Sequence, residues 1–457
     1  MLAAFAMFVV FGLLSGAGGV LFPAQIDDYQ VDKATIGLTF FTSAGGYVAA
    51  SVLSGPSVAR FGGRLVVLVA GLGLGAAGLA TAARPLFAAF VLVQALGGYA
   101  VGTLESVMNA YLATQPNATS LLNRLHAFFG VGALLGPLLA TWLLTLGGWQ
   151  VVVLVLTIAG FGPMAVAVAG YPDRADDPLL VHAGSEAPGT AVSGTAMSDT
   201  AMPGAAMPGA AVSGAGASGT ELAAGTTAAG TAASREGLGS VLRTRPVLLG
   251  ALLLAAYVGL EISVGTWGFS YLVEHHALSD PIAGYAISGY WLGLTAGRFL
   301  IGPVTARLRL TEPGLLWGSL AGTAAACALA WAALASAGLT IAAFVLLGFF
   351  LGPIFPTMIA LTPRLTTARL VATAIGVINA GALLGGAVLP WLAGTLLQEA
   401  GPQTLLPFAF ALGAVQLVVW RVLARRLAPG PALAGVAVVP GPAPQPAPEP
   451  VRPAARR

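Results

Sequence analysis

One six-residue pattern occurs twice in the chain: Gly55-Pro56-Ser57-Val58-Ala59-Arg60 and, 247 residues later, Gly302-Pro303-Val304-Thr305-Ala306-Arg307. Other matches keep nearly the same spacing: Gly12-Leu13 recurs as Gly259-Leu260, Gly132-Ala133-Leu134-Leu135-Gly136 recurs at 381–385, and the surroundings of Gly102 align with those of Gly352. A single match of this kind means little in a sequence rich in alanine, leucine and glycine. Four matches at nearly one offset indicate that the chain is an internal duplication.

The amino-acid composition indicates whether this duplicated unit folds in water or in a membrane. Of 457 residues, 20 are Lys or Arg and 17 are Asp or Glu, about 8% in all. Soluble domains carry roughly 25% charge, and disordered chains need low hydrophobicity, whereas 57% of this chain is hydrophobic. Its 62 glycines suit transmembrane helices, in which small residues let backbones approach closely. Cys327 is the single cysteine, which excludes a disulfide framework. We therefore predict a polytopic membrane protein.

Twelve stretches are apolar over the roughly 20 residues that a membrane-spanning helix needs. They cover about residues 2–25, 35–57, 63–83, 86–112, 121–146, 149–170, 246–273, 281–306, 313–336, 338–362, 368–394 and 403–424. With the repeat, they predict an all-α membrane protein with twelve transmembrane helices in two pseudo-symmetric six-helix bundles, 1–171 and 244–427. Residues 172–243 are rich in Ala, Gly, Ser and Thr, and residues 428–457 in Pro and Ala. These compositions predict a flexible cytoplasmic linker and a disordered cytoplasmic tail.

The basic residues predict the orientation in the membrane. Those on one side of the predicted spans are Arg60, Arg64, Arg124, Arg174, Arg235, Arg243, Arg245, Arg307, Arg309, Arg364, Arg369, Arg421, Arg425 and Arg426. The loops on the opposite side hold only Lys33 and Arg84. Because Lys and Arg accumulate in cytoplasmic loops, we expect both termini and the linker to be cytoplasmic. The expected location is the cell inner (plasma) membrane.

This organisation resembles the major facilitator superfamily. The stretch Gly55–Arg64 is similar to the family's signature loop between helices 2 and 3, except that Ala59 stands where the family usually has an acid. Stretches similar to the fucose-permease-like group of sugar:proton symporters are Leu122–Gly130, Tyr290–Gly293, Gly297-Arg298 and Pro353–Thr357. The resemblance implies alternating access around a substrate site between the halves. It also implies gating roles for Gly55, Arg60, Gly62, Arg64, Arg298, Gly302 and Arg307.

Two carboxylates, Glu105 and Glu261, lie well inside the predicted spans, and neither is duplicated. An ionisable group at the centre of a membrane helix costs at least about 2.5 kcal/mol, so each is expected to have a function. Glu105 and His126 both lie a turn or two from the cytoplasmic ends of helices 4 and 5, which predicts that they meet and carry a coupling proton. The alternative for Glu105 is a structural hydrogen bond to a neighbouring helix.

Further polar and aromatic residues predict a substrate site. Gln94, Asn109 and Glu105 share one face of helix 4, and this stripe is expected to line the cavity between the halves. The other candidate substrate-binding residues are Glu261, Asn379, Trp267 and Tyr271. A structural glutamate is the alternative for Glu261. For Trp267, Tyr271, Tyr290 and Trp291 the alternative is a belt of aromatic side chains at the membrane interface.

These observations predict a monomeric secondary transporter for a small polar, sugar-like solute, driven by protons. The alternatives are proton-driven efflux of a drug-like compound or metabolite and, less favoured, a transporter-shaped solute sensor. No loop offers a nucleophile–base pair or a metal cluster, so an enzyme is not expected. The expected partners are the solute, protons and the lipid bilayer. No cofactor and no bound metal are predicted, and without a dense basic face neither is nucleic acid.

Overall fold

The protein is described by a computed structural model over residues 1–115, 118–180, 239–333, 335–367 and 370–427. Within these ranges each predicted span contains one long helix. The first six are α1 Leu2–Tyr29, α2 Leu38–Phe61, α3 Gly63–Ala82, α4 Phe87–Ala113, α5 Ala118–Leu144 and α6 Trp149–Gly170. The second six are α7 Arg245–His276, α8 Asp280–Leu308, α9 Glu312–Ala332, α10 Ala337–Leu351 with its continuation Ile354–Leu361, α11 Val371–Ala400 and α12 Leu405–Ala424. Most of the predicted linker, 181–238, and the tail, 428–457, lie outside the described residues.

Length and composition suit these helices to a membrane. Among the described residues, 11 helical segments are long and apolar enough to cross it. The remaining helix, α8, has 29 residues but carries Arg298 in mid-span among glycines and polar aromatic residues. The prediction of an all-α membrane protein is confirmed.

Glycines allow corresponding helices to pair closely in the two halves, α1 with α5 and α7 with α11. A Cβ atom added to Gly132 of α5 would lie 2.1 Å from the carbonyl oxygen of Val9 in α1. A Cβ atom added to Gly385 of α11 would lie 2.1 Å from the carbonyl oxygen of Ala255 in α7. No other residue tolerates such an approach, so the duplicated glycines maintain the same helix pair in each bundle.

The pairs α2–α4 and α8–α10 repeat this packing in matching register. A Cβ atom on Gly98 of α4 would lie 2.1 Å from the carbonyl oxygen of Ser43 in α2. A Cβ atom on Gly348 of α10 would lie 2.1 Å from the carbonyl oxygen of Tyr290 in α8. Gly98 and Gly348 are separated by 250 residues, and Ser43 and Tyr290 by 247, which are the offsets of the sequence repeat. The two bundles are therefore copies in packing as well as in sequence.

A glycine face on α3 receives the side chains of α6. Added Cβ atoms would lie 2.3 Å from Met164 Sδ at Gly71 and 2.5 Å from the Phe161 ring at Gly75. Gly78 meets Thr157 one turn further along. Because α3 presents no side chains along this face, α6 lies directly against it and completes the first bundle.

Candidate functional site

The two halves meet tightly at one end of the molecule, which we call the closed end. Lys33 Nζ, just before α2, lies 3.0 Å from Glu274 Oε2 near the end of α7. The backbone N–H of Lys33 donates to Gln398 Oε1 of α11 at 3.3 Å. About two turns away from Glu274 along α7, the ring of Trp267 lies 5.6 Å from the ring of Phe22 in α1. An ion pair, a hydrogen bond and an aromatic contact thus connect α1 and α2 to α7 and α11.

The helices α5 and α8 form a second contact between the halves. Gly130 of α5 faces Thr295, and Thr141 of α5 faces Gly284. Each side places a threonine against a bare backbone on the other, so the two helices pack closely at both positions.

A buried group of ionisable residues lies in the second half, and we call Tyr257, Glu261 and Arg298 the charge cluster. Glu261 of α7 is fully buried, and Arg298 Nη2 of α8 lies 3.6 Å from its Oε1. The same Nη2 donates to the Tyr257 hydroxyl at 3.3 Å. The Tyr290 hydroxyl donates to the carbonyl oxygen of Glu261 at 3.0 Å, which holds α8 against α7. Tyr257 was not predicted from the sequence, although its spacing of four residues from Glu261 places both on one face of α7.

His126 lies on α5, the helix of the first half that packs against α8 of the second. Its ring lies edge-on to Phe8 of α1 at 5.5 Å. The sequence predicted His126 as the partner of Glu105. Glu105 Oε2 accepts a hydrogen bond at 3.1 Å from the Tyr47 hydroxyl of α2. The role of Glu105 and His126 in carrying a coupling proton stays a prediction.

Two residues of the polar stripe of α4 form hydrogen bonds within their own bundle, and the role of the stripe in lining the space between the halves stays a prediction. Gln94 Nε2 donates to Thr81 Oγ1 of α3 at 3.3 Å, and Glu105 bonds to α2. The bare backbone of Gly98 lets α2 approach this face. Asn109, on the same stripe, is half-buried.

Asn379 and the four aromatic candidates, Trp267, Tyr271, Tyr290 and Trp291, are buried. These four side chains therefore do not belong to a belt at the membrane interface. Trp267 donates from Nε1 to the carbonyl oxygen of Pro390 in α11 at 2.7 Å. The Tyr271 hydroxyl lies 3.3 Å from His276 Nε2. Tyr290 bonds to Glu261, and Trp291 covers Gly265. Trp267 and Tyr271 therefore have partners within the protein, and their roles in substrate binding stay predictions.

The predicted gating loop between α2 and α3 is docked on the chain that follows α6. Gly62 has a φ of 82° and turns the chain into α3. The next N–H, of Gly63, donates to Asp177 Oδ2 at 2.7 Å. Arg64 is paired with Asp173, and Arg174 donates from Nη1 to the carbonyl oxygen of Arg60 at 2.7 Å.

The docked segment also buries Tyr171, whose ring fills the space beside Gly63. This burial raises the pKa of the Tyr171 phenol. The first residues of the predicted linker therefore pack on the first bundle. The loop's described polar contacts lie within its own half, and its gating role stays a prediction.

The other predicted gating residues are placed separately. Gly55 is exposed within α2, and Arg307 is exposed in the last turn of α8. Gly302 lies in α8, and its surroundings are outside the described part of the structure. Arg298 belongs to the charge cluster, where its guanidinium lies beside Glu261 and Tyr257, and its gating role stays a prediction.

A family model described as Major Facilitator Superfamily matches residues 3–311 and, a second time, residues 249–455. The chain belongs to the major facilitator superfamily. The two overlapping matches agree with the duplication seen in sequence and packing. Among solved structures, that of a variant of the nucleoside transporter NupG is similar with a TM-score of 0.66 and 13% identity, covering 93% of this chain and 98% of the other. At this identity the similarity concerns the fold.

Three curated proteins are similar to this chain over parts of their length. Bypass of stop codon protein 6 of Saccharomyces cerevisiae is 25% identical over 311 residues, which are 67% of this chain and 57% of the relative. The 4-hydroxybenzoate transporter PcaK of Acinetobacter baylyi is 26% identical over 181 residues, 35% of this chain and 37% of the relative. PcaK of Pseudomonas aeruginosa is 28% identical over 191 residues, 38% and 40% respectively. The chain thus spans little more than half of the first relative and about two fifths of the other two.

Proposed function

We propose that the protein is a secondary transporter that moves a small polar solute across the membrane by alternating access and couples this movement to protons. One observation carries the proposal: the charge cluster is buried in the membrane domain, on the helices α7 and α8 that pack against α1 and α5 of the first half. Buried charge at membrane depth is costly and is found mainly where it has a function. In transporters built from repeats, that place is the boundary between the halves.

The closed end supplies one of the two states that alternating access needs. Its contacts connect α1 and the residues just before α2 to α7 and α11, and each contact involves at least one side chain. Such contacts can separate when the two halves rotate apart. With the orientation predicted from the arginines, the closed end is extracellular. Import and export both pass through this state.

The charge cluster supports coupling through Glu261 more directly than the predicted pair of Glu105 and His126 does. A proton taken up by Glu261 cancels its charge and leaves Arg298 without a counter-ion. An acceptor group of the solute then becomes the favourable partner of the guanidinium. Release of the solute restores the ion pair and expels the proton. The proton and the solute therefore bind and leave together, which is the requirement for symport.

This exchange favours a solute that carries a carboxylate. A solute carboxylate replaces Glu261 as the counter-ion of Arg298 with the same charge, and carboxylates suit the planar guanidinium because they can accept two parallel hydrogen bonds from it. The two PcaK relatives, named for 4-hydroxybenzoate, point to the same class. The sugar-like solute implied by the fucose-permease resemblance would bind the cluster through hydroxyl groups, and it is the alternative to be tested.

The solute class is tested by thermal unfolding of the purified protein with benzoate, 4-hydroxybenzoate, fucose, glucose and a nucleoside. A ligand that binds the folded state raises the unfolding temperature. We expect a carboxylate to stabilise the wild type and to lose this effect in Arg298→Met. Stabilisation by sugars alone would replace the carboxylate with a sugar.

Coupling is tested by uptake into proteoliposomes with and without a pH gradient, using the solute identified by the binding assay. We expect Glu261→Gln to retain exchange of solute across the membrane but to lose accumulation driven by the gradient. Glu399→Gln removes an exposed carboxylate at the end of α11 and is the matched control, with accumulation like that of the wild type. If Glu105→Gln alone abolishes gradient-driven accumulation, the proton site is Glu105. If neither variant does, the protein is not a proton symporter.

A further inference from the structure

A cavity of about 200 Å³ lies inside the first bundle and not between the halves. It is lined by residues of α1, α2, α3, α4 and α6, all of which belong to the first half. The charge cluster is in the second half, so this intrabundle cavity is a separate space. No role in the proposed transport cycle accounts for it.

Small residues on facing helices leave this space open. A Cβ atom added to Gly97 of α4 would have as its nearest neighbour the Cβ of Ala77 in α3, at 3.8 Å, an ordinary contact distance. Gly97 therefore differs from the glycines that join helix backbones, where an added Cβ would clash. A glycine without a close neighbour, on a wall facing an alanine, leaves room for a ligand.

The polar groups of the intrabundle cavity gather near the closed end. Gln25 of α1 is 5% exposed, and its buried Oε1 has no hydrogen-bond partner. Gln94 donates from Nε2 to Thr81 Oγ1 at 3.3 Å and to the carbonyl oxygen of Phe90 at 3.2 Å. A buried acceptor without a partner destabilises the folded state, so a ligand hydroxyl that donates to Gln25 would remove an existing penalty.

Thr39, Ser43 and Thr157 add hydroxyl groups to the lining, which is otherwise apolar and carries no charged residue. A charged ligand would lose its hydration here without gaining a counter-ion. An apolar protein cavity of about 150 Å³ holds a benzene-sized molecule, so this one accommodates a single substituted ring. We propose that the intrabundle cavity binds a neutral one-ring phenol or aromatic alcohol, with its hydroxyl donating to Gln25 and its ring against the apolar walls.

The proposal is tested by calorimetric titration of the full chain in lipid nanodiscs. The probe is 4-ethylphenol, compared with ethylbenzene, which lacks the hydroxyl, and with the anion 4-ethylbenzoate. Gly97→Leu fills the cavity from its open wall. The matched control is Gly162→Leu on the exposed face of α6, where an added Cβ meets nothing within 4 Å. Gln25→Leu removes the acceptor and keeps a side chain of similar size.

We expect saturable one-to-one binding of 4-ethylphenol to the wild type and to Gly162→Leu. Binding should be at least about tenfold weaker in Gly97→Leu, because the side chain occupies the site. In Gln25→Leu the affinity for 4-ethylphenol should fall about fivefold, the value of one hydrogen bond, while ethylbenzene binds as before. Partitioning into lipid is unsaturable and is the same for all variants.

Two results would overturn the proposal. One is the absence of saturable binding by the wild type, and the other is full affinity in folded Gly97→Leu. If that variant does not fold, Ala77→Leu fills the same space from the facing wall and gives the same decision. Binding of 4-ethylbenzoate as tight as that of 4-ethylphenol would overturn the neutral class of ligand.

Discussion

At the scale of single residues, the pair Glu261–Arg298 shows how a charge is kept at membrane depth. Each side chain neutralises the charge of the other, since Glu261 is fully buried and the Arg298 side chain is only 18% exposed. We expect Arg298→Met to lower the free energy of unfolding by about 3 kcal/mol, because it leaves a buried carboxylate without its counter-charge. The double variant with Glu261→Met removes both charges and should recover most of this loss. Chemical unfolding in detergent, followed by tryptophan fluorescence, measures both.

Equal losses in the single and the double variant would contradict this account. They would mean that packing of the arginine side chain against its neighbours, and not the ion pair, stabilises this part of the second bundle. Transport by the double variant is expected to be lost in either case, because the proposed proton site and the proposed solute site are both removed.

At the scale of helices, the position of a glycine decides whether it can be replaced. We expect Gly75→Ala to lower the free energy of unfolding by about 1–3 kcal/mol, because the new Cβ lies 2.5 Å from the Phe161 ring. Gly73→Ala in the same helix is the matched control, since its Cβ has no neighbour closer than 3.8 Å. It should be neutral or stabilise the protein by up to about 1 kcal/mol, the helix preference for alanine. If both variants have the same stability, the glycine face of α3 does not determine the packing of α6.

The same helices show how far the sequence predicts the structure. Apolar length and the repeat predicted every span, because these properties belong to each segment alone. The contact between α2 and the polar stripe of α4 was not predicted. It depends on Gly98, which allows the α2 backbone to approach α4 closely. The pairing of Glu261 with Arg298 depends on the rotation of α7 against α8, which is set by contacts such as Trp291 on Gly265. Such contacts join residues distant in sequence, and periodicity carries no information about them.

At the scale of the whole molecule, the orientation in the membrane can be measured directly. Cysteines placed at Gln30 and Ala277, both exposed near the closed end, should react with a membrane-impermeant maleimide from outside the cell. Cysteines at Arg309 and at Ala215, in the predicted linker, should react only after permeabilisation. Cys327 is buried and gives a low background. The reverse pattern would show that the arginine-rich side is extracellular and would reverse the direction assigned to the closed end.

The stability of the closed end decides which state the whole molecule prefers, and the ion pair Lys33–Glu274 is its outermost contact. Its side chains are 14% and 38% exposed, so solvent screens the pair and its contribution is about 0.5–1 kcal/mol. Lys33→Glu places two acids opposite each other and should raise the population opened at this end about two- to fivefold. A cysteine at Ile36, which is fully buried beside Lys33, reports opening through its rate of maleimide labelling. The exchanged pair Lys33→Glu with Glu274→Lys should return this rate to the wild-type value, since the attraction is restored with the charges reversed. If the exchanged pair labels as fast as Lys33→Glu alone, the effect comes from loss of the lysine at its own site and the ion pair does not hold the halves together.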